Sequence, residues 1–192
     1  CIVKDASGYK TISNEALLIY NQKVQTTFSK TSGNVTFKVQ YPENITCGMP
    51  TTFKLSSEGT TDKVQYALYS LTTEDGTIVY DTSYGSNGKF FSKDSFDFTF
   101  YASGTYYIRF AIMDTGVSPY VWFNTGLYGI KLVIDDKGYP TVENVVADLK
   151  AQCGKTCTTD FEKAVWFNDW LVENCRYDSS YSYCAPEGAL AR

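Results

Sequence analysis

Hydrophobic and polar residues alternate with a period of two over most of the middle of the chain. Val35, Phe37 and Val39 alternate with polar residues, which is the pattern of a strand with one buried face. The same alternation recurs in Thr52–Leu55, Val64–Ser70 and Phe96–Phe100, and three more segments are predicted strands: Thr77–Tyr80, Gly104–Ile112 and Leu132–Ile134. Turn signals such as Glu74-Asp75-Gly76 separate them. Seven or eight short strands at this spacing predict an antiparallel β-sandwich.

The period changes from two to 3.6 after the polar, turn-rich segment Asp135–Pro140. Val142, Val145, Val146 and Leu149 share one face of a predicted short helix. A second helix is predicted from the capping box of Thr159 and Glu162 to about Cys175. We therefore expect an α-helical hairpin after the sandwich.

These patterns divide the chain into three parts. Residues 1–32 form an N-terminal segment that the pattern leaves without an assignment. Residues 33–135 form the predicted β-sandwich, and residues 139–192 form the helical part.

The second predicted helix is apolar on two sides. Trp166 and Trp170 form one ridge, and a broader arc lies nearly opposite, comprising Phe161, Ala164, Val165, Phe167, Leu171, Val172 and Cys175. A helix of this kind is expected to pack on two sides. One partner is the preceding helix, and the other is the sandwich or a following domain.

Composition narrows the classes of function. The 192 residues are 43% hydrophobic and 16% aromatic, and the net charge is −4 with the basic residues scattered singly. This distribution is not that of a nucleic-acid-binding protein. No apolar run approaches the roughly 20 residues that span a membrane, and no signal peptide is present, so we expect a chain that begins after any targeting segment. Because the chain has no histidine, it contains no Cys-His or Ser-His pair and no histidine metal site, and no cofactor is expected.

The six cysteines favour disulfides, and therefore an oxidising, extracytoplasmic location. Free buried thiols and a four-cysteine metal site are the alternatives to disulfides. A helical hairpin would bring Cys153 and Cys157 together. Cys175 would lie about 24 Å further along the second helix, beyond the span of a disulfide. We therefore predict the pairs Cys153–Cys157 and Cys175–Cys184, and as a weaker third pair Cys1–Cys47. As the first residue, Cys1 could also carry a bacterial lipid anchor, although an arbitrary starting point is favoured.

An aromatic cluster, Pro119–Phe123, is the candidate binding surface. Tyr120 and Trp122 are suited to stacking on a sugar or holding a peptide. A cluster of this kind more often caps the open end of a sandwich core.

Three segments resemble two known families. GTYYIRFAIMD, residues 104–114, resembles the penultimate strands of bacterial immunoglobulin-like modules. TDFEKAVWFNDWLVENCRYD, residues 159–178, is similar to the leading helix of the bacterial transglutaminase-like superfamily, which belongs to the papain-like cysteine enzymes. Ala185–Leu190 is similar to the small-residue run that precedes the nucleophile of that family. The resemblance implies thiolate attack on an amide or ester carbonyl, as in a transglutaminase or a protease.

No catalytic residue can be carried over from this resemblance. The sequence ends before the position of the nucleophile, none of its cysteines matches the catalytic cysteine, and it has no histidine. Two interpretations remain: a fragment of a longer protein, which is favoured, or a domain that serves only for packing. If the chain is a fragment, a missing C-terminal domain would pack on the face of Trp166 and Trp170.

The sequence therefore predicts an extracellular or cell-surface bacterial module that precedes a transglutaminase-like domain, and whether the complete protein is an enzyme stays open. The alternative function is a non-enzymatic adhesin, or a module that binds a protein, a peptide or a glycan.

Overall fold

A computed structural model describes residues 2–4, 10–12, 25–81, 94–118, 121–175, 185–186 and 188. Within these residues the protein is mainly β, with two large sheets and two helices, which confirms this much of the predicted fold class. The strands are β1 Ile2–Lys4, β2 Lys10–Ile12, β3 Gln25–Ser32, β4 Val35–Pro42, β5 Ile45–Thr46, β6 Pro50–Glu58, β7 Val64–Thr73, β8 Ile78–Asp81, β9 Ser95–Thr99, β10 Gly104–Asp114, β11 Val121–Asn124 and β12 Ile130–Asp135. The helices are α1 Val142–Cys153 and α2 Asp160–Asn174.

The two large sheets have different topologies. One is antiparallel, with the order β3-β4-β6-β9. The other is mixed, with the order β5-β12-β10-β7-β8, and β11 also pairs with β10. β5 pairs with β12 in parallel, with Ile45 opposite Ile134. Strands β1 and β2 form a separate two-stranded ribbon.

The core lies between the two large sheets, in a sandwich-like arrangement. Phe37, Phe53 and Phe98 from the first sheet belong to the same buried cluster as Ile108 and Phe110 from the second. The rings of Phe53 and Phe110 lie 5.3 Å apart across the interface. Burial of the apolar faces of both sheets is therefore what joins them.

The alternation along β7 is interrupted by a bulge at Tyr69. The sequence pattern predicts that Val64, Tyr66, Leu68 and Ser70 share one face. In the structure Phe110 pairs with Leu68 and Arg109 pairs with Ser70, so Tyr69 is an extra residue in β7. An extra residue shifts the alternation by one. Leu71 consequently joins the core cluster after the bulge.

Strands β11 and β12 run along the same edge of β10, with a five-residue segment between them. β11 pairs with Ala111–Asp114 and β12 with Gly104–Ile108. Between them, the N–H of Phe110 donates to the hydroxyl oxygen of Thr125 (3.2 Å), and the N–H of Thr125 donates to the carbonyl oxygen of Phe110 (2.9 Å). A side chain thus replaces one backbone acceptor of the sheet. Leu127 and Tyr128 protrude from this segment into solvent.

Several strands were not predicted. β3 lies inside the N-terminal segment that the sequence pattern leaves without an assignment, and it pairs with β4 along its whole length. β11 lies inside the aromatic cluster that was interpreted as a cap or a binding loop.

Both predicted helices are present, and both begin with a capping threonine. Thr141 accepts from the N–H of Asn144 at the start of α1. Thr159 and Glu162 form the predicted capping box at the start of α2. Neither helix in the described part of the chain is long and apolar enough to cross a membrane.

Candidate functional site

The predicted disulfide between Cys153 and Cys157 is absent. Both residues carry free thiols. The N–H of Cys157 donates to the carbonyl oxygen of Cys153 (2.9 Å), so the chain continues in a helical turn at this point. Burial raises the pKa of the Cys153 thiol, and the neighbouring Cys157 thiol raises it further.

The other two predicted pairs each include a residue outside the described part of the chain. Cys1 and Cys184 are those residues, so the pairs Cys1–Cys47 and Cys175–Cys184 stay predictions. Cys47 is buried and forms no disulfide with another cysteine of the described residues.

The predicted binding surface is described only in part. Tyr120 lies outside the described residues. The backbone of Trp122 lies in β11, opposite Met113 of β10. Stacking of Tyr120 and Trp122 on a sugar or a peptide therefore stays a prediction.

A pocket of about 200 Å³ lies where the sandwich meets the start of α1. Three segments line it. Cys47 follows β5, Tyr101–Ser103 connects β9 to β10, and Asp136 together with residues 139–143 leads into α1.

A tight turn places Tyr139 in the wall of this pocket. The N–H of Tyr139 donates to the carbonyl oxygen of Asp136 (2.8 Å). Lys137 and Gly138, between them, both have positive φ, at 42° and 83°, as in a type I′ turn. The ring of Tyr139 then lies directly on Gly48, where an added Cβ would come within 2.5 Å of it. The absence of a side chain at position 48 therefore makes room for the ring.

The wall of the pocket is aromatic on one side. The rings of Tyr101 and Tyr139 lie 6.5 Å apart with 35° between their planes. Burial raises the pKa of Tyr139, and the neighbouring Tyr101 and Cys47 raise it further. Burial also raises the pKa of the Cys47 thiol to about 11, with contributions from the charges of Asp136 and Asp135. Cys47 is therefore a protonated thiol at neutral pH and a poor nucleophile.

The entrance to the helix supplies polar groups to the pocket. Thr141 and Glu143 both line it. The pKa of Glu143 is lowered first by its own backbone N–H and then by the Thr141 hydroxyl. This carboxylate therefore interacts favourably with the positive end of the α1 dipole.

The second candidate surface is one side of α2. Phe161 is 78% exposed and Val172 is 74% exposed, and Val165 and Leu171 on the same helix are exposed as well. Trp166, Phe167 and Trp170 are half-buried. Among the described residues, no side chain of α2 is fully buried. The larger uncovered apolar area of the helix is therefore on the Phe161 and Val172 side rather than on the tryptophan ridge.

Sequence reasoning missed the pocket. Cys47 was considered only as a disulfide partner, and the segment Asp135–Pro140 only as a boundary between parts of the chain. The one available signal was Tyr139 directly after a Lys-Gly turn. Its contact with Gly48 joins residues 91 positions apart, which a local pattern does not reveal.

Comparison of the chain with protein-family models, with curated proteins and with solved structures gave no match.

Proposed function

We propose that the chain is an immunoglobulin-like module of an extracellular or cell-surface bacterial protein, and that it carries the opening helices of a transglutaminase-like domain. The module holds these helices, while the thiol chemistry belongs to residues that the chain does not contain.

Two features of the sheets support the immunoglobulin-like part. The second sheet has the order β12-β10-β7-β8, which is the order of the last strand, the penultimate strand and two middle strands in such modules, and the first sheet brings β6 beside β9. In addition, the hydroxyl of the buried Tyr106, near the start of β10, donates to the carbonyl oxygen of Ala102 (2.9 Å). This contact is similar to the tyrosine corner of immunoglobulin-like domains.

The exposed apolar side of α2 is the observation that carries the proposal for the helical part. A soluble helix normally covers its apolar side. α2 has a complete capping box and is a well-defined helix, yet Phe161 and Val172 remain in contact with solvent. The first helix of a larger domain would present such a surface to the elements that follow it. The similarity of residues 159–178 to the leading helix of the transglutaminase-like superfamily supports the proposal that this larger domain is transglutaminase-like.

The test uses the natural protein that contains this chain. We expect its coding sequence to continue beyond Arg192, with a cysteine at the start of a helix within a few residues and a histidine and an aspartate further on. We also expect the natural protein to incorporate a fluorescent primary amine into a glutamine-containing protein, or to hydrolyse an amide. Iodoacetamide should abolish this turnover, and the 192-residue chain alone should have none. A stop codon directly after Arg192 would exclude the proposed domain.

A further inference from the structure

The pocket at the start of α1 is a separate site, and its chemistry does not depend on the transglutaminase-like proposal. We propose that this pocket, lined by Tyr101, Tyr139, Asp136 and Glu143, binds an organic ammonium group, such as the side chain of a lysine or a small alkylamine.

The negative charge of the lining residues favours a positively charged ligand. Asp136 and Glu143 are the charged side chains among the described residues that line the pocket, and no lysine or arginine is among them. After burial, the charges of Asp136 and Asp135 also raise the pKa of Cys47, so their negative potential extends to this lining residue. A cation is therefore attracted there and an anion is repelled.

The start of α1 does not reverse this preference. The N–H of Asn144 donates to the Thr141 hydroxyl oxygen (3.2 Å). The Glu143 carboxylate is held by its own backbone N–H and by the Thr141 hydroxyl. The backbone N–H groups of Glu143 and Asn144, which could attract an external anion to the helix start, are thus engaged by the chain itself.

The aromatic wall favours an organic cation. An ammonium group is attracted to the face of a tyrosine ring within about 6 Å of its centre. The described residues contain no cluster of three or more His, Cys, Asp or Glu side chains placed to hold a metal ion. Two carboxylates beside two rings are instead the surroundings that suit an alkylammonium group, whose carbon chain contacts the rings while its charge faces the carboxylates.

The spacing of the rings excludes a flat ligand between them. A planar ring held between two parallel rings needs about 7 Å between their centres, because each contact takes about 3.5 Å. The rings of Tyr101 and Tyr139 are 6.5 Å apart and tilted by 35°. The ligand therefore lies against the wall that the two rings share. A volume of about 200 Å³ accommodates a four-carbon chain and its ammonium group.

Binding of n-butylammonium chloride to the purified chain, followed by two-dimensional NMR, tests this inference, with n-butanol as a neutral ligand of the same length. We expect saturable shifts of the backbone signals of residues 136–143, with n-butanol binding at least about 10-fold more weakly. We also expect the affinity for the ammonium ion to fall with rising salt concentration, because the attraction is electrostatic.

Matched charge variants separate the pocket from the general acidity of the chain. The double variant Asp136→Asn, Glu143→Gln removes the two lining carboxylates and should weaken n-butylammonium binding at least about 10-fold. The control Asp148→Asn, Glu173→Gln removes two exposed carboxylates that do not line the pocket and should bind as the unchanged chain does. Thermal unfolding of both variants establishes that each is folded. Equal binding of n-butanol and n-butylammonium, or unchanged binding by the folded Asp136→Asn, Glu143→Gln variant, would overturn the inference.

Discussion

Thr125 shows how a single side chain completes a sheet. Along one edge of β10, β12 pairs with Gly104–Ile108 and β11 pairs with Ala111–Asp114. Neither strand pairs with Arg109 or Phe110, which lie between these two segments. Thr125 is buried at this point, and its hydroxyl oxygen accepts from the N–H of Phe110. A buried N–H without a partner carries the full cost of its lost hydration.

Replacement of Thr125 by valine should therefore destabilise the protein. Valine has nearly the same shape but offers no acceptor to the Phe110 N–H, and we expect a loss of about 1–3 kcal/mol in the free energy of unfolding. Urea denaturation measures it, and the slope of the transition should stay unchanged. Thr125→Ser keeps the hydroxyl, so it should retain most of the stability that valine loses. Equal losses in both variants would show that the methyl group matters rather than the hydrogen bond.

At the scale of elements, the start of α2 is held by a carboxylate with a perturbed pKa. Glu162 accepts from the N–H of Thr159 (2.9 Å) and from the N–H of Thr158 (2.8 Å). These bonds lower the pKa of Glu162 from 4.5 to about 2. Because the folded pKa lies below the ordinary one, the unfolded state takes up the proton more readily as the pH falls. The stabilisation by Glu162 is therefore complete above about pH 5 and is lost as the pH falls through about 2.

The helical signal of α2 should decline between pH 5 and pH 2 in part through this group. Glu162→Gln keeps a hydrogen-bond acceptor at position 162 but has no charge to lose. We therefore expect its circular-dichroism titration to lack the component that belongs to Glu162. Asp160→Asn provides the matched control, because the Asp160 carboxylate is not in the capping box. Superimposable titrations of the unchanged chain and Glu162→Gln would contradict this assignment.

Local signals in the sequence predicted most of the elements. The capping box of Thr159 and Glu162 is complete within four residues, and the alternation of Val35, Phe37 and Val39 reports one strand by itself. The bulge at Tyr69 could not be predicted in this way, because it depends on the register of β7 against β10. The pocket required contacts such as that of Tyr139 with Gly48, and the free thiol of Cys153 depends on how the chain leaves α1.

At the scale of the whole molecule, the sandwich contains most of the buried core, whereas α2 exposes an apolar side. Among the described residues, large buried aromatic side chains such as Phe37, Phe53 and Phe110 come from strands of the two sheets, and Phe100 directly follows β9. α1 buries only Leu149 and Cys153 among its described side chains, and α2 buries none. The fold therefore depends on the sandwich, while α2 is held mainly by its own hydrogen bonds and its cap.

The central claim is that the apolar side of α2 is uncovered and available to a further domain. The most direct measurement is the free energy of unfolding of the double variant Phe161→Ser, Val172→Ser, obtained by urea denaturation. Because both side chains are mostly in contact with solvent, we expect a value within about 0.5 kcal/mol of that of the unchanged chain. Leu149→Ser, at a buried position of α1, is the comparison that should lower it by about 2 kcal/mol or more. A comparable loss in Phe161→Ser, Val172→Ser would mean that α2 is already packed within this chain and would contradict the account.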